Sequence, residues 1–198
     1  MSKFLLTTLI ILLGFFQFSF TYKLAQSEKI PPGTIYVKSL GYYIDKTCVY
    51  VIDWKEFYWH TKKYSGDSLA SLLLPDSNII KLYYKTNIFD LNTSKHDHKP
   101  IIGVTVQQIE KYVNFRTNAV RNLKKFKGVN VSYCTLDSLS YDYLKKSKRF
   151  NFNQSLVSSK IQEIYVDSGL MFIEGKVVTD KPIKSDFVYG FRCIAKIN

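Results

Sequence analysis

From Phe4 to Phe20 the chain runs without a charged residue, directly after Lys3, and this run decides which part of the sequence can fold as a water-soluble domain. A basic start followed by Leu5, Leu6, Leu9, Ile10, Ile11, Leu12, Leu13, Phe15 and Phe16 is the pattern of a secretory leader. At roughly 17 to 19 apolar-leaning residues it also reaches the lower bound for spanning a bilayer. Residues 1–25 are therefore expected to be a signal peptide or an N-terminal membrane anchor, with a buried core helix as the least favoured reading. Ser19 and Thr21 are small residues at cleavage-site spacing, but Tyr22 and Lys23 stand where small residues are preferred, so cleavage and retention both stay open. No cysteine follows the run, which removes a bacterial lipoprotein anchor.

Export changes what the charge means. The chain carries 28 Lys+Arg against 16 Asp+Glu, a formal net charge of +12, which in isolation suggests nucleic acid or an anionic surface. Outside the cytoplasm nucleic acid is a rare partner. Lys55, Lys62, Lys63, Lys124, Lys125, Lys127, Lys145, Lys146 and Lys148 are also scattered instead of alternating with stacking aromatics. No nucleic-acid partner is expected, and the lysines read as a solvated face, with attraction to an anionic polymer or lipid as the alternative. The 46% of hydrophobic residues, including 15 Tyr, 14 Phe and 2 Trp, supply one domain's core and exclude disordered, collagen-like and coiled-coil classes. Three cysteines in 198 residues exclude a disulfide-held mini-protein.

The expected domain opens at Ile30-Pro31-Pro32-Gly33, a rigid turn whose prolines cannot join a sheet ladder. Thr34 to Val37 and Tyr42 to Ile52, separated by Gly41, have the pattern of strands. Asp53 can cap a helix with Trp54, Phe57, Tyr58 and Thr61 at helical spacing. Lys85 to Lys99 is polar and loop-like, and Pro100 ends it. Thr105-Val106-Gln107-Gln108 is a capping box for a helix burying Val106, Ile109, Val113, Val120 and Leu123. A weaker helix is predicted around Leu136 to Lys146, with Cys134 at its start, followed by a basic stretch from Lys145 to Lys160. Strands are predicted at Ile161 to Val166, Met171 to Val178 and Phe187 to Ile197, broken at Gly169, Gly175, Pro182 and Gly190. There is no βαβ alternation, so the fold class is α+β with short strands, two or three helices and much irregular loop.

Four landmarks occur in order. Pro31-Pro32-Gly33-Thr34 leads to Tyr43-Ile44-Asp45-Lys46-Thr47; Pro100-Ile101-Ile102-Gly103-Val104-Thr105-Val106 leads to a helix closing on Phe115-Arg116; Tyr133 to Leu144 places Tyr141 and Asp142 together; and Gly190-Phe191-Arg192-Cys193-Ile194 stands near the last residue. Together they resemble the formylglycine-generating enzyme family, also called the sulfatase-modifying-factor fold. The first is similar to the strand before the family's "E-V-T-N" motif, and the second to "P-V-V-x-V-S-W". The third is similar to a degraded "R-L-P-T-E-x-E-W-E", and the last to the terminal "G-F-R-C".

The resemblance implies an irregular α+β fold related to C-type lectins, covering residues 28–198. Catalytic members of the family are copper oxidases that convert a sulfatase cysteine to formylglycine with two cysteines upstream of "G-F-R-C"; other members are non-catalytic envelope proteins. This chain is shorter than the catalytic members between the Thr105 helix and the last strands. It has Cys48-Val49-Tyr50-Val51 in place of "E-V-T-N" and Glu174-Gly175-Lys176-Val177-Val178 in place of "G-G-S-W". No cysteine lies between Cys134 and Cys193. The family's disulfide partner of Cys193 falls at Val113.

The expectation is an exported, divergent, non-catalytic domain, in the periplasm or at the cell surface, acting as a structural or binding component of the cell envelope. An envelope protein or polysaccharide would be its partner, and no catalytic residue, cofactor or metal is assigned. The alternatives are a divergent copper-dependent formylglycine-generating oxidase and an envelope polysaccharide-binding module.

Each residue set that could carry chemistry also has a plainer reading. Cys193 reads as a buried thiol, with a disulfide to Cys134 or Cys48, or a reactive site, as alternatives. His96-Asp97-His98 looks like a metal clip but lacks a third ligand, His60 being far off, so a surface loop is preferred. Asp137, Asp142 and Glu163 resemble an acid–base set and read as solvated carboxylates. Trp54, Phe57 and Tyr58 suit a ligand platform and read as core. Asn92-Thr93-Ser94, Asn130-Val131-Ser132 and Asn153-Gln154-Ser155 are glycosylation sequons.

Overall fold

The computed structural model describes residues 29–87, 89–147, 161–167, 170–173, 176–177 and 188–198. The predicted leader or anchor lies outside the described residues, as do most of the basic stretch, the Asn153 sequon, Gly169, Gly175 and Pro182. Among the described residues no helix is long and apolar enough to cross a membrane.

The class is α+β. A four-stranded antiparallel sheet in the order β1-β2-β9-β3 combines β1 (Thr34–Val37), β2 (Tyr42–Asp45), β3 (Val131–Thr135) and β9 (Cys193–Ile197). The last strand therefore lies in the middle, with Ile194 opposite Ile44 on one side and opposite Cys134 on the other. Alternation along a strand sends neighbouring residues to opposite faces. Cys193 and Ala195 join Val131 and Tyr133 in the main core, while Ile194 joins Val37, Ile44, Leu136 and Leu144 beneath the other face.

Among the described residues there are five α-helices, where two or three were predicted: α1 (Val51–Ser65), α2 (Asp67–Ser71), α3 (Ser77–Tyr84), α4 (Val106–Arg121) and α5 (Ser138–Lys146). A 3-10 turn, Lys124–Phe126, follows α4. The C-terminal part adds β4 (Ile161–Glu163) parallel to β8 (Val188–Gly190). It also adds an antiparallel set of β5 (Tyr165–Asp167), β6 (Leu170–Ile173) and β7 (Lys176–Val177).

The Thr105 cap is present as predicted. Its hydroxyl accepts from Gln108 N–H at 3.2 Å, and its N–H donates to Gln108 Oε1 at 2.7 Å. Gln108 does more, because its amide nitrogen also donates to the carbonyls of Leu72 and Leu74 and ties the α2–α3 connection to α4. Gly103 is placed by the same junction. Its φ is +73°, and a Cβ there would lie 2.9 Å from the Asp76 carbonyl oxygen. Ile109, Val113 and Val120 are buried, but Leu123 is 40% exposed, since α4 ends at Arg121 and the chain turns outward.

Several boundaries differ from the sequence reading. The strand predicted over Tyr42 to Ile52 stops at Asp45, and α1 starts at Val51 with Tyr50, not Asp53, at its N-cap. Asp53 instead sits one turn inside and accepts the Tyr50 N–H at 2.8 Å. Cys134 lies in β3 and not at a helix start, and Asp137 caps α5. The single strand predicted over Phe187 to Ile197 is two strands in different sheets, broken at Phe191-Arg192. Both of those side chains are fully buried, and Arg192 is paired, donating to the Lys46 carbonyl at 2.9 Å.

Trp54 anchors the main core. It stacks on Tyr112 at 5.4 Å, meets Phe57 and Phe191 edge-on, and donates its indole N–H to the Leu73 carbonyl at 2.8 Å. Phe191→Ala should open a cavity against Trp54 and Tyr112 and cost about 3 to 5 kcal/mol in denaturant unfolding. Thr105→Ala, by removing one cap acceptor, should cost about 1 kcal/mol in the same measurement.

Candidate functional site

Asp45 is the last residue of β2 and only 4% exposed. A carboxylate so placed must be paired. Its oxygens take both terminal nitrogens of Arg116 from α4, Nη2 at 2.7 Å and Nη1 in a second, shorter contact, together with the Cys193 N–H at 2.9 Å. Arg116 also donates to the Pro32 carbonyl at 3.2 Å, and its guanidinium lies 4.4 Å from the Tyr133 ring centroid. Burial acts to lower the guanidinium pKa, but the charge and hydrogen bonds of Asp45, together with Cys193 and Tyr112 nearby, outweigh it and hold Arg116 above its ordinary value.

Beside this pair is a pocket of about 390 Å³. Its walls come from the Pro32-Gly33 turn, the Asp45 end of β2, the loop Thr47 to Tyr50, the first turns of α1 with Asp53 and Glu56, and the Tyr112–Phe115–Arg116 face of α4. Burial raises Asp53 above the usual aspartate range, opposed by the Tyr50 N–H and by Arg116. Tyr112 is raised well above its ordinary value, chiefly by burial. The arrangement offers acceptor oxygens and aromatic walls around a neutralised ion pair, which suits binding more than proton transfer.

The residues singled out from the sequence are not gathered there. Cys193 is fully buried, and burial, then the Asp45 charge, push its thiol pKa up, which keeps it protonated. Cys134 is also raised by burial. Because Cys134 stands opposite Ile194, it shares that residue's face, while Cys193 points to the other side of the sheet. No disulfide joins Cys48, Cys134 or Cys193.

The histidine motif is divided by its own aspartate. Asp97 turns inward and accepts from Lys55 Nζ at 2.7 Å, and Lys55 also reaches the Thr93 carbonyl at 2.6 Å. His96 is lowered by burial and by Lys99, Lys95 and Lys55, and the same positive charges oppose a metal cation. His98 lies edge-on to Tyr50, while His60 on α1 contacts Phe115 on α4. Among the described residues no group of three His, Cys, Asp or Glu is placed to hold a metal.

Asp137 is occupied by the Ser140 N–H, the Ser140 hydroxyl and the Tyr42 hydroxyl, whose pKa burial raises to about 12. Asp142 is exposed on α5 and makes no set with it; the side chain of Glu163 lies outside the described residues. Trp54, Phe57 and Tyr58 are core. Asn92 and Asn130 are exposed, and Asn130 accepts from Arg121. Sequence reasoning passed over Asp45, Arg116, Asp53 and Tyr112 as a group. Asp45 and Arg116 each stand within a motif, but nothing in the spacing joins residues from separate elements.

No protein-family model matches the chain, and no curated protein or solved structure is detectably similar to it.

Asp45→Ala should leave Arg116 buried without its counter-charge and destabilise the fold by about 3 to 5 kcal/mol. Arg116→Ala should cost a similar amount, and the double variant less than the sum of the two. Urea midpoints for the three variants check this.

Proposed function

We propose that this chain is an exported, non-catalytic domain of the formylglycine-generating-enzyme type that works as a structural or binding component of the cell envelope. The reading rests on the placement of the thiols. A copper oxidase of this type needs two thiolates converging on one ion, because soft sulfur ligands select Cu(I). Cys193 and Cys134 lie on opposite faces of one sheet, and burial holds both thiols above their ordinary pKa. The Cys193 backbone is meanwhile spent on Asp45, so this segment braces the fold.

The apolar run after Lys3 supports export, and the α1–α2 corner supports a contact role. There Trp59, Tyr64, Leu69 and Leu72 are all exposed, with Lys62 over the Trp59 ring and Lys63 over the Tyr64 ring. Exposed aromatic and aliphatic side chains edged by cations suit an anionic, partly apolar surface.

Cell fractionation of the full chain should recover it with the envelope. Incubated with Cu(I), oxygen and a cysteine-bearing sulfatase peptide, it should leave the peptide thiol unmodified by mass spectrometry. Copper-dependent conversion of that thiol to the aldehyde would overturn the reading in favour of the oxidase.

A further inference from the structure

Between Glu110 and Asp137 the chain has no acidic residue, while Lys111, Arg116, Arg121, Lys124, Lys125 and Lys127 all fall there. Arg116 is spent on Asp45, and Arg121 on the Val131 carbonyl and the Asn130 side chain. Among the described residues the ion pairs are Lys55–Asp97, Lys62–Asp67 and Arg116–Asp45, so Lys124, Lys125 and Lys127 enter none.

These three lysines are held on one turn. In the 3-10 segment after α4, Phe126 N–H donates to the Leu123 carbonyl at 2.9 Å and Lys127 N–H to the Lys124 carbonyl at 3.3 Å. Phe126 is 1% exposed and pins the turn to the core, which leaves the lysines on either side of it exposed. Cations near a helix C-terminus have a structural use, because the macrodipole leaves about half a negative charge there. Arg121, in the last turn of α4, already meets it, and three further lysines exceed it.

A second observation says what they face. Lys125 Nζ donates to the Ile30 carbonyl at 3.4 Å, so the entry of the chain into the domain lies against this turn. The Phe4 to Phe20 run ends nine residues before Lys29, and nine residues span at most about 30 Å. With that run in a bilayer, the lysine turn is tethered within reach of the headgroups. Beside an anionic leaflet each lysine adds about fivefold to the attraction. Exposed Ile30 and Leu123 give the turn apolar edges that can sink at the headgroup boundary.

The α1–α2 corner is the competing face, but its Lys62 is bridged to Asp67 at 3.2 Å. Leu123 also borders the pocket that carries Asp53 and Glu56, two carboxylates that the lysines of the turn outnumber.

We propose that the Lys124–Phe126 turn, with Lys127, Ile30 and Leu123 at its edges, docks on the headgroups of an anionic phospholipid bilayer. The inference rests on the envelope reading only for bringing the chain to a membrane. Fractionation tests where the cell puts the chain, and a bilayer of chosen composition tests the docking, so the two can fail separately.

The full chain is reconstituted into nanodiscs of phosphatidylcholine, or of an equal mixture with phosphatidylglycerol, and its lysines are acetylated by a membrane-impermeant reagent and read by peptide mass spectrometry. In the anionic discs, labelling of Lys124, Lys125 and Lys127 should fall about fivefold and recover in high salt, while Lys62 and Lys63 stay unchanged. Lys124→Gln with Lys127→Gln alters exposed side chains and keeps the urea midpoint, yet should abolish the protection of Lys125. Equal labelling in both discs, an equal fall at Lys62 and Lys63, or protection of Lys125 that survives the double variant would overturn the proposal. Equal protection by dextran sulfate added to the neutral discs would overturn the lipid assignment in favour of an anionic polymer.

Discussion

The Asp45–Arg116 pair is where three separate stretches of chain meet. Asp45 closes β2, Arg116 comes from the middle of α4, and the third partner is the backbone of Cys193 at the start of β9. A buried carboxylate without compensation costs several kcal/mol, so each element is held in place by the penalty for leaving the other two. Arg192, immediately before β9, adds a second brace by donating to the Lys46 carbonyl. The pocket is a by-product of this arrangement. Asp45 and Arg116 line it together with Asp53 and Tyr112.

Local signals were the legible part of the fold. Thr105 and Gln108 form the expected box because both partners lie within one turn, so four residues of sequence contain the whole interaction. The burial of Trp54, Phe57 and Tyr58 follows from helical spacing alone. Where the reading failed, a local pattern was overruled by distant chain. Cys48 to Ile52 is β-branched and apolar and reads as strand, yet Val49 N–H donates to the Phe191 carbonyl and Val51 N–H to the Lys99 carbonyl, and the chain then turns into α1. The α3 helix was missed although Asp76 is a good cap, accepting from Asn78 and Ile79 N–H; Pro75 before it and the Ile79, Ile80, Tyr83, Tyr84 spacing were signals enough.

The site was less legible than the fold for the same reason. Asp53 reads as a helix cap, Arg116 as the end of a motif and Tyr112 as core, and each description is locally fair. Only the crossing of α1 and α4 beside the end of β2 turns them into one wall. The histidine motif shows the reverse case. His96-Asp97-His98 is compact in sequence, but Asp97 is drawn inward by Lys55 on α1 and pins the 85–99 loop to that helix.

The central place of β9 also sets an order of events. Asp45 and Cys193 are 148 positions apart, and no shorter piece of chain can supply the strand that separates β2 from β3. The helices can form early, but the sheet stays open until residues 193–197 are free to insert, a long-range closure of the kind that slows folding. Anything that grips residues 193–197, such as a translocation channel, keeps β2 and β3 apart and the sheet unfinished. Release of those few residues is then the step that locks the domain shut.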